Sequence, residues 1–302
     1  MRSVFLVSNP RAGSANPRRT QAIAKVLSAD FKLEVGDTTA RDHATELARD
    51  AVDRGFDAVI ALGGDGTINE VAQGVVGTDV ALGVIPGGST NVMVRSLGLP
   101  VDPIEAAVFA AERLRSGTRR RVNVGRIDER YFLFSAGLGL DAEVVKRVEA
   151  DPEAKRRRGD WFFLSNALKV GVSEYRNADP WLTLQVEGAE PERVVLVVCC
   201  KARPFTYFKR FPVDPCPQAR LDAGLDFLSM TRISTAAVPR LVWALLVSRA
   251  HIGWKNARYE HDRRAATVTG DRPFPVQVDG DYIGERSAAH LELVPEALDL
   301  LI

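Results

Sequence analysis

Three glycines stand within four residues in Gly63-Gly64-Asp65-Gly66, and Thr67-Ile68-Asn69-Glu70 follows. A loop of this kind closes one apolar run and opens a helical pattern, so backbone N–H groups can approach a ligand closely. The positive end of the helix favours phosphate at the same place. Asp65 can serve a hydrated Mg²⁺ or the surroundings of a transferring phosphate, and Thr67 can cap the helix and bond to phosphate. Asn9-Pro10-Arg11-Ala12-Gly13 and Pro86-Gly87-Gly88-Ser89-Thr90-Asn91 each follow an apolar run in the same way. Either alone reads as an ordinary turn. All three fall at strand carboxyl ends, where open α/β sheets bind ligands, so one nucleotide could touch them together. Further on, Asp279-Gly280-Asp281 offers carboxylates able to take a proton from a hydroxyl, or a plain hairpin turn. Residues 137–142 fit GxGxxA with Asp160 downstream, as in a dinucleotide fold. Asp160 lies beside a basic loop, however, and not at the end of a second strand.

These loops need a frame. Residues 3–7, 32–35, 57–62 and 80–85 read as strands, and 17–27, 41–54 and 67–76 as helices. Alternation at this pace predicts an α/β domain with a parallel sheet and helices on both faces. After about residue 120 the pattern turns to strands: 121–127, 131–136, 182–186, 194–200, 225–231, 265–268, 276–278 and 289–294. Helical patterns there are limited to 141–148, 161–175 and 235–248. A β-rich C-terminal domain with an antiparallel sheet is the expectation.

Composition narrows the function. Lys plus Arg number 40 against 39 Asp plus Glu in 302 residues, which argues against a general nucleic-acid coat. The N-terminal apolar run is too short for a signal peptide, and no run reaches the length that spans a bilayer. Residues 238–254 come nearest and are interrupted by Arg240, Arg249, His251 and Gly253. Cys199, Cys200 and Cys216 show no CxxC spacing and read as reduced thiols, and the four histidines are scattered. A cytoplasmic protein with no transmembrane segment and no nucleic-acid partner is expected.

The strings NPRAG, GGDGTINEV and PGGSTNVMVRSLGLP resemble the three nucleotide-binding segments of the diacylglycerol kinase catalytic domain. That superfamily also holds bacterial lipid kinases, sphingosine kinases and ceramide kinases. Gly137-Leu138-Gly139-Leu140-Asp141-Ala142, Leu221-Asp222-Ala223-Gly224-Leu225-Asp226 and Val278-Asp279-Gly280-Asp281 extend the likeness over nearly the whole chain, in order. GGDGT alone is shared with NAD kinases and phosphofructokinase-like enzymes. The resemblance implies an ATP-binding domain of residues 1–122 with a returning segment near 290–302, and a lipid-substrate domain of 123–289.

It further implies a nucleotide at Asn9, Pro10, Arg11, Ala12, Gly13, Thr38, Gly63, Gly64, Asp65, Gly66, Thr67, Asn69, Glu70, Gly88 and Ser89. Asp279 and Asp281 match the family's acidic motif, which activates the substrate hydroxyl, with Mg²⁺ and ATP as cofactors and Asp65 nearest the metal. The chain departs from the family at Val92, Asn123 and Ala223, where relatives often carry acids. A second, structural Mg²⁺ has Arg220, Ala223 and Leu225 at the family's positions; alanine cannot ligate a metal, although Asp222 or Asp226 could compensate.

The expected reaction is phosphorylation of a lipid hydroxyl at a membrane surface by a peripherally associated enzyme, with a homodimer as a further expectation. Lys155–Arg158 beside Trp161, Phe162 and Phe163, and residues 204–211, pair basic charge with interfacial aromatics. The alternatives are a kinase for a soluble substrate such as NAD, and a nucleotide- or lipid-binding protein that has lost catalysis.

Overall fold

The chain divides into two units, Met1–Val124 with Val294–Ile302, and Gly125–Leu293. The computed structural model describes residues 2–12, 16–151, 178–234 and 238–302, together with 153, 154, 157, 162, 165, 166, 169 and 170. Gly13, Asp160, Trp161, Phe163 and much of the expected helix 161–175 lie outside the described residues.

In the first unit, β1 (Ser3–Ser8), β2 (Lys32–Asp37), β3 (Ala58–Gly63) and β4 (Ala81–Pro86) pair in parallel in the order β2-β1-β3-β4. Every residue of β3 and β4 is buried, as expected for central parallel strands covered on both faces. The helices are α1 (Pro17–Ser28), α2 (His43–Asp53), α3 (Asp65–Val75), α4 (Val92–Ser96) and α5 (Pro103–Ser116). Ile23 and Leu27 of α1 share a core with Ala106, Ala107, Ala110 and Leu114 of α5, against Val4, Leu6 and Ile60. Helices α2 and α3 pack on each other so closely that a Cβ on Gly74 would stand 2.5 Å from that of Ala48. Helix α5 is absent from the elements expected above, although its ends are well signalled. Asp102 accepts from the backbone N–H groups of Ile104 and Glu105, Pro103 opens the first turn, and Gly117 closes the helix in the left-handed region.

Strand β5 (Arg120–Ile127) leads into the second unit, where it forms a hairpin with β6 (Arg130–Phe132). β7 (Ser135–Gly139) runs into α6 (Leu140–Glu149). Then follow β8 (Leu182–Val186), β9 (Glu192–Val194), β10 (Leu196–Cys200), β11 (Thr206–Phe208), β12 (Phe211–Val213) and β13 (Leu225–Met230). Helix α7 (Val238–Trp243), a π-helical turn over Ala244–Ser248, β14 (Ala257–Arg263), β15 (Ala265–Val278) and β16 (Asp281–Leu300) complete it. The order β14-β13-β10-β7-β15 is antiparallel throughout, and β8 and β16 also pair antiparallel with β15. The end of β16 reaches the first unit, where Leu300 pairs in parallel with Leu82 of β4.

Three expected strands are corrected. The run 131–136 breaks into β6 and β7, because the N–H groups of Leu133, Phe134 and Ser135 turn to the carboxylate of Asp279. The runs 265–268 and 276–278 belong to one long β15, whose register on β16 shifts between Thr269 and Phe274. Phe132, Phe227 and Phe274 are fully buried in this unit's core. Its three cysteines are buried and unpaired, and burial pushes the Cys199 and Cys216 thiols up.

Candidate functional site

In the first unit, the described residues among those expected to hold a nucleotide gather at or next to the carboxyl ends of β1 to β4. Asn9 follows β1; its N–H donates to Leu62 O at 3.0 Å, and its Nδ2 to Thr67 Oγ1 at 3.0 Å. Asn9 Oδ1 accepts from the N–H of Arg11, which gives the start of this loop its turn. Thr38 N–H donates to Ser8 O at 2.8 Å, so Thr38 continues the β1–β2 ladder. Ser8, Asn9, Ala12, Leu62, Pro86 and Gly87 line one narrow cleft with Asn16, Arg19 and Thr20.

The glycine loops pack backbone on backbone. Gly87 N–H donates to Gly63 O at 2.7 Å, and a Cβ on Gly88 would stand 2.8 Å from Gly64 Cα. Side chains are thus excluded where the loops touch. The amide of Asn91, at φ +47°, folds back on Gly88, accepting from its N–H and donating to its carbonyl, each at 2.9 Å. The sequence reading left Asn91 unassigned; its place beside two glycines in a turn-forming string was the available signal.

Two expected contacts are engaged within the protein. Asp65 accepts from the N–H groups of Val92 (3.0 Å) and Met93 (3.2 Å), so it caps α4 and ties the loops after β3 and β4 together. Glu70 accepts from Ala44 N–H, and its carbonyl accepts from Thr45, so it joins α3 to α2. Asn69 is buried within α3 beside Gln73. What opens at the start of α3 is its first turn, where helical N–H groups lack intrahelical acceptors and attract anions. Gly64, Asp65 and Gly66 are partly exposed there, as is Gly88, while Ser89 is exposed.

The carboxylates of the second unit are unequal. Asp279, at φ +48°, accepts from Leu133 N–H (2.8 Å), Phe134 N–H (2.8 Å) and Ser135 N–H (2.9 Å). That places it as the anchor of the turn. Asp281 opens β16 and is partly exposed. Beneath the turn, buried Gln277 donates to Asp141 Oδ2 at 2.7 Å and accepts from Gly280 N–H at 2.8 Å. Asp141 and Gln277 were not singled out from the sequence as site residues, although Asp141 stands in the quoted Gly137–Ala142 string.

Burial pushes the Asp141 carboxyl up to about 6 from 3.8, against the opposing hydrogen bond from Gln277. A carboxyl raised in the fold penalises its ionised form, so the cost is present above pH 6 and relieved as pH falls toward 4. Asp141→Asn, which keeps an acceptor for Gln277, is expected to stabilise the protein at pH 7.5 by up to about 2–3 kcal/mol. Thermal melts of both proteins should converge near pH 4. An equal difference at both pH values would contradict the raised carboxyl.

The loop at the family's position for a structural Mg²⁺ holds a different cation. Lys201 is fully buried, and its Nζ donates to the carbonyls of Arg220 (3.0 Å), Leu221 (2.9 Å) and Ala223 (3.1 Å). Burial pulls the Lys201 ammonium down to about 8, so it remains charged at neutral pH. Arg220 is ion-paired to Asp222 at the surface. Asp226 accepts from the Tyr259 hydroxyl and from Asp262 N–H, and bonds His261 Nδ1 at 2.8 Å. Both aspartates are thus engaged by other groups, and the residues present do not fit a divalent ion. Among the described residues, no group of three His, Cys, Asp or Glu gathers as a metal site.

Residues 3–127 match the profile of the diacylglycerol kinase catalytic domain. A diacylglycerol kinase of Bacillus subtilis is 36% identical over 152 residues, 49% of each protein, so the match spans about half of that relative's length. A diacylglycerol kinase of Staphylococcus carnosus is 25% identical over 95% of this chain and 91% of its own. The crystal structure of a candidate diacylglycerol kinase from Bacillus anthracis superposes with a TM-score of 0.79 at 22% identity, over 99% of this chain and 94% of the other. An NAD kinase of Archaeoglobus fulgidus, solved with ATP, shares the fold at a TM-score of 0.57 and 14% identity, over 99% of this chain and 93% of its own. By its motifs and these matches, residues 3–127 of the chain match the diacylglycerol kinase catalytic domain, and the chain is similar to diacylglycerol kinases over most of its length.

Proposed function

We propose that this protein is a lipid kinase that moves the γ-phosphate of ATP to a lipid hydroxyl. The observation that carries the reading is the convergence of the Asn9 loop, the open first turn of α3 and the Gly87–Ser89 loop at the ends of parallel strands. Helical N–H groups and close-packed glycine backbone suit a polyphosphate. Mg²⁺ arriving with the nucleotide would offset phosphate charge, holding mostly water and phosphate oxygens. Asp65 acts here as the residue that fixes the two glycine loops on each other.

Asp281 is assigned the proton of the acceptor hydroxyl. As that oxygen bonds to the γ-phosphorus, the bond to the β-phosphate oxygen breaks, ADP leaves and the proton passes to the carboxylate. Asp279 holds the turn that presents Asp281, through its three backbone hydrogen bonds. Engagement of both Asp65 and Asp279 by backbone also suits a second reading, a binding protein without turnover.

Calorimetric titration tests the nucleotide assignment. Mg-ATP is expected to bind the wild type, and Gly66→Asp, which puts a carboxylate in the first turn of α3, is expected to weaken it at least about 100-fold. Undiminished binding by a folded Gly66→Asp protein would remove ATP from this loop.

A further inference from the structure

One strongly apolar stretch of the chain lies on its surface. Val238–Ser248 reads VPRLVWALLVS, and a helix apolar on all sides is ordinarily buried. Here only Ala244 of these residues is buried, while Trp243 is 59% and Val247 52% exposed. The two stand one turn apart, so they share a face. The β11–β12 hairpin is joined to this segment at its base, where Asp214 N–H, just past β12, donates to Leu245 O at 3.0 Å, and its tip lies at the other end of the pair. That tip carries Phe211, 49% exposed, with the Arg210 guanidinium stacked on its ring.

The charge around these residues has one sign. Residues 201–213 and 227–259 contain no Asp or Glu, and they carry Arg210, Arg240 and Lys255, all exposed. The Arg240 guanidinium stacks on Trp254 at 4.6 Å. Exposed aromatics and aliphatics ringed by exposed cations, with the neighbouring Asp214 buried and paired to Arg203 and Arg249, match the boundary of a bilayer bearing anionic head groups. A water-soluble partner would also satisfy the apolar residues, but the absence of acids across 46 residues selects an anionic surface.

We propose that α7, its π-helical extension and the β11–β12 tip are the face on which this protein docks to an anionic lipid bilayer, with Trp243, Val247 and Phe211 entering the head-group region. The proposal deepens the lipid-kinase reading and rests on it only for the reason to dock.

Flotation of the purified protein with phosphatidylcholine vesicles, with and without phosphatidylglycerol, tests it. Binding is expected only where phosphatidylglycerol is present, and raised salt should weaken it. Trp243→Ser with Val247→Ser should cut the partition about tenfold or more, and Arg210→Gln or Lys255→Gln about fivefold each. All variants should keep wild-type melting, and wild-type phosphate transfer to a short-chain acceptor dispersed in detergent. Transfer absent from the wild type with flotation as described would defeat the kinase reading and leave this surface standing. Equal flotation with phosphatidylcholine alone, unchanged flotation of the folded variants, or a dimer that Trp243→Ser dissociates would overturn it.

Discussion

Asp281→Asn is expected to lower phosphate transfer by about 10²–10⁴-fold while leaving ATP affinity within about twofold of the wild type. Asparagine keeps the shape of the side chain and removes its capacity to take a proton. The corresponding change at Asp279 should act differently. An amide there can accept from only one side, so at least one of the Leu133, Phe134 and Ser135 N–H bonds is lost. Asp279→Asn should therefore depress melting temperature and activity together. Full turnover in Asp281→Asn would remove it as the base. Equal melting-temperature losses in both variants would erase the distinction between a base and an anchor.

Lys201→Met is expected to have the largest effect on stability. The carbonyls of Arg220, Leu221 and Ala223 would lose the fully buried ammonium that joins them. At about 1–3 kcal/mol per unsatisfied group, the loss should reach roughly 3–5 kcal/mol. For a chain of this size that corresponds to a melting temperature lower by about 10 °C. The wild type should melt alike in chelator and in millimolar Mg²⁺, because its loop already has its charge. In Lys201→Ser with Ala223→Asp, the same carbonyls face a new carboxylate and no ammonium, and Mg²⁺ should raise the melting temperature. Chelator-induced destabilisation of the wild type would contradict the ammonium's role.

What could be read from the sequence depended on how local each signal was. The Gly63–Glu70 string carried its own geometry, since glycines, a helix start and an apolar strand are neighbours in the chain. The parallel sheet followed for the same reason: runs such as 57–62 and 80–85 are short, apolar and closed by turn residues. Long-range pairings were silent. Nothing near Asp65 announces that it binds Val92 and Met93, 27 and 28 residues away. Asp279 captures backbone 144 to 146 residues back, which is why the run 131–136 looked unbroken. Lys201 read as one more basic residue after a strand, and only the fold brings three carbonyls around it. Helix α5 is the exception, because Asp102, Pro103 and Gly117 marked it locally and were passed over.

The departures at Val92, Asn123 and Ala223 can now be compared with their surroundings. Val92 is buried, and its N–H is already held by Asp65. Asn123 Oδ1 accepts from Glu296 N–H at 2.9 Å and so pins the returning C-terminal strand. Ala223 lends its carbonyl to Lys201. Each replaced acid sits where the chain has made another arrangement of its own, so these replacements are not by themselves evidence of lost catalysis.

The central claim is tested most directly by transfer of labelled γ-phosphate from Mg-ATP to defined lipids in mixed micelles, with NAD and a lipid-free blank alongside. The account predicts a labelled lipid phosphate whose formation stops in Asp281→Asn. Label on NAD alone, or bound ATP with no labelled product from any lipid alcohol, would contradict it.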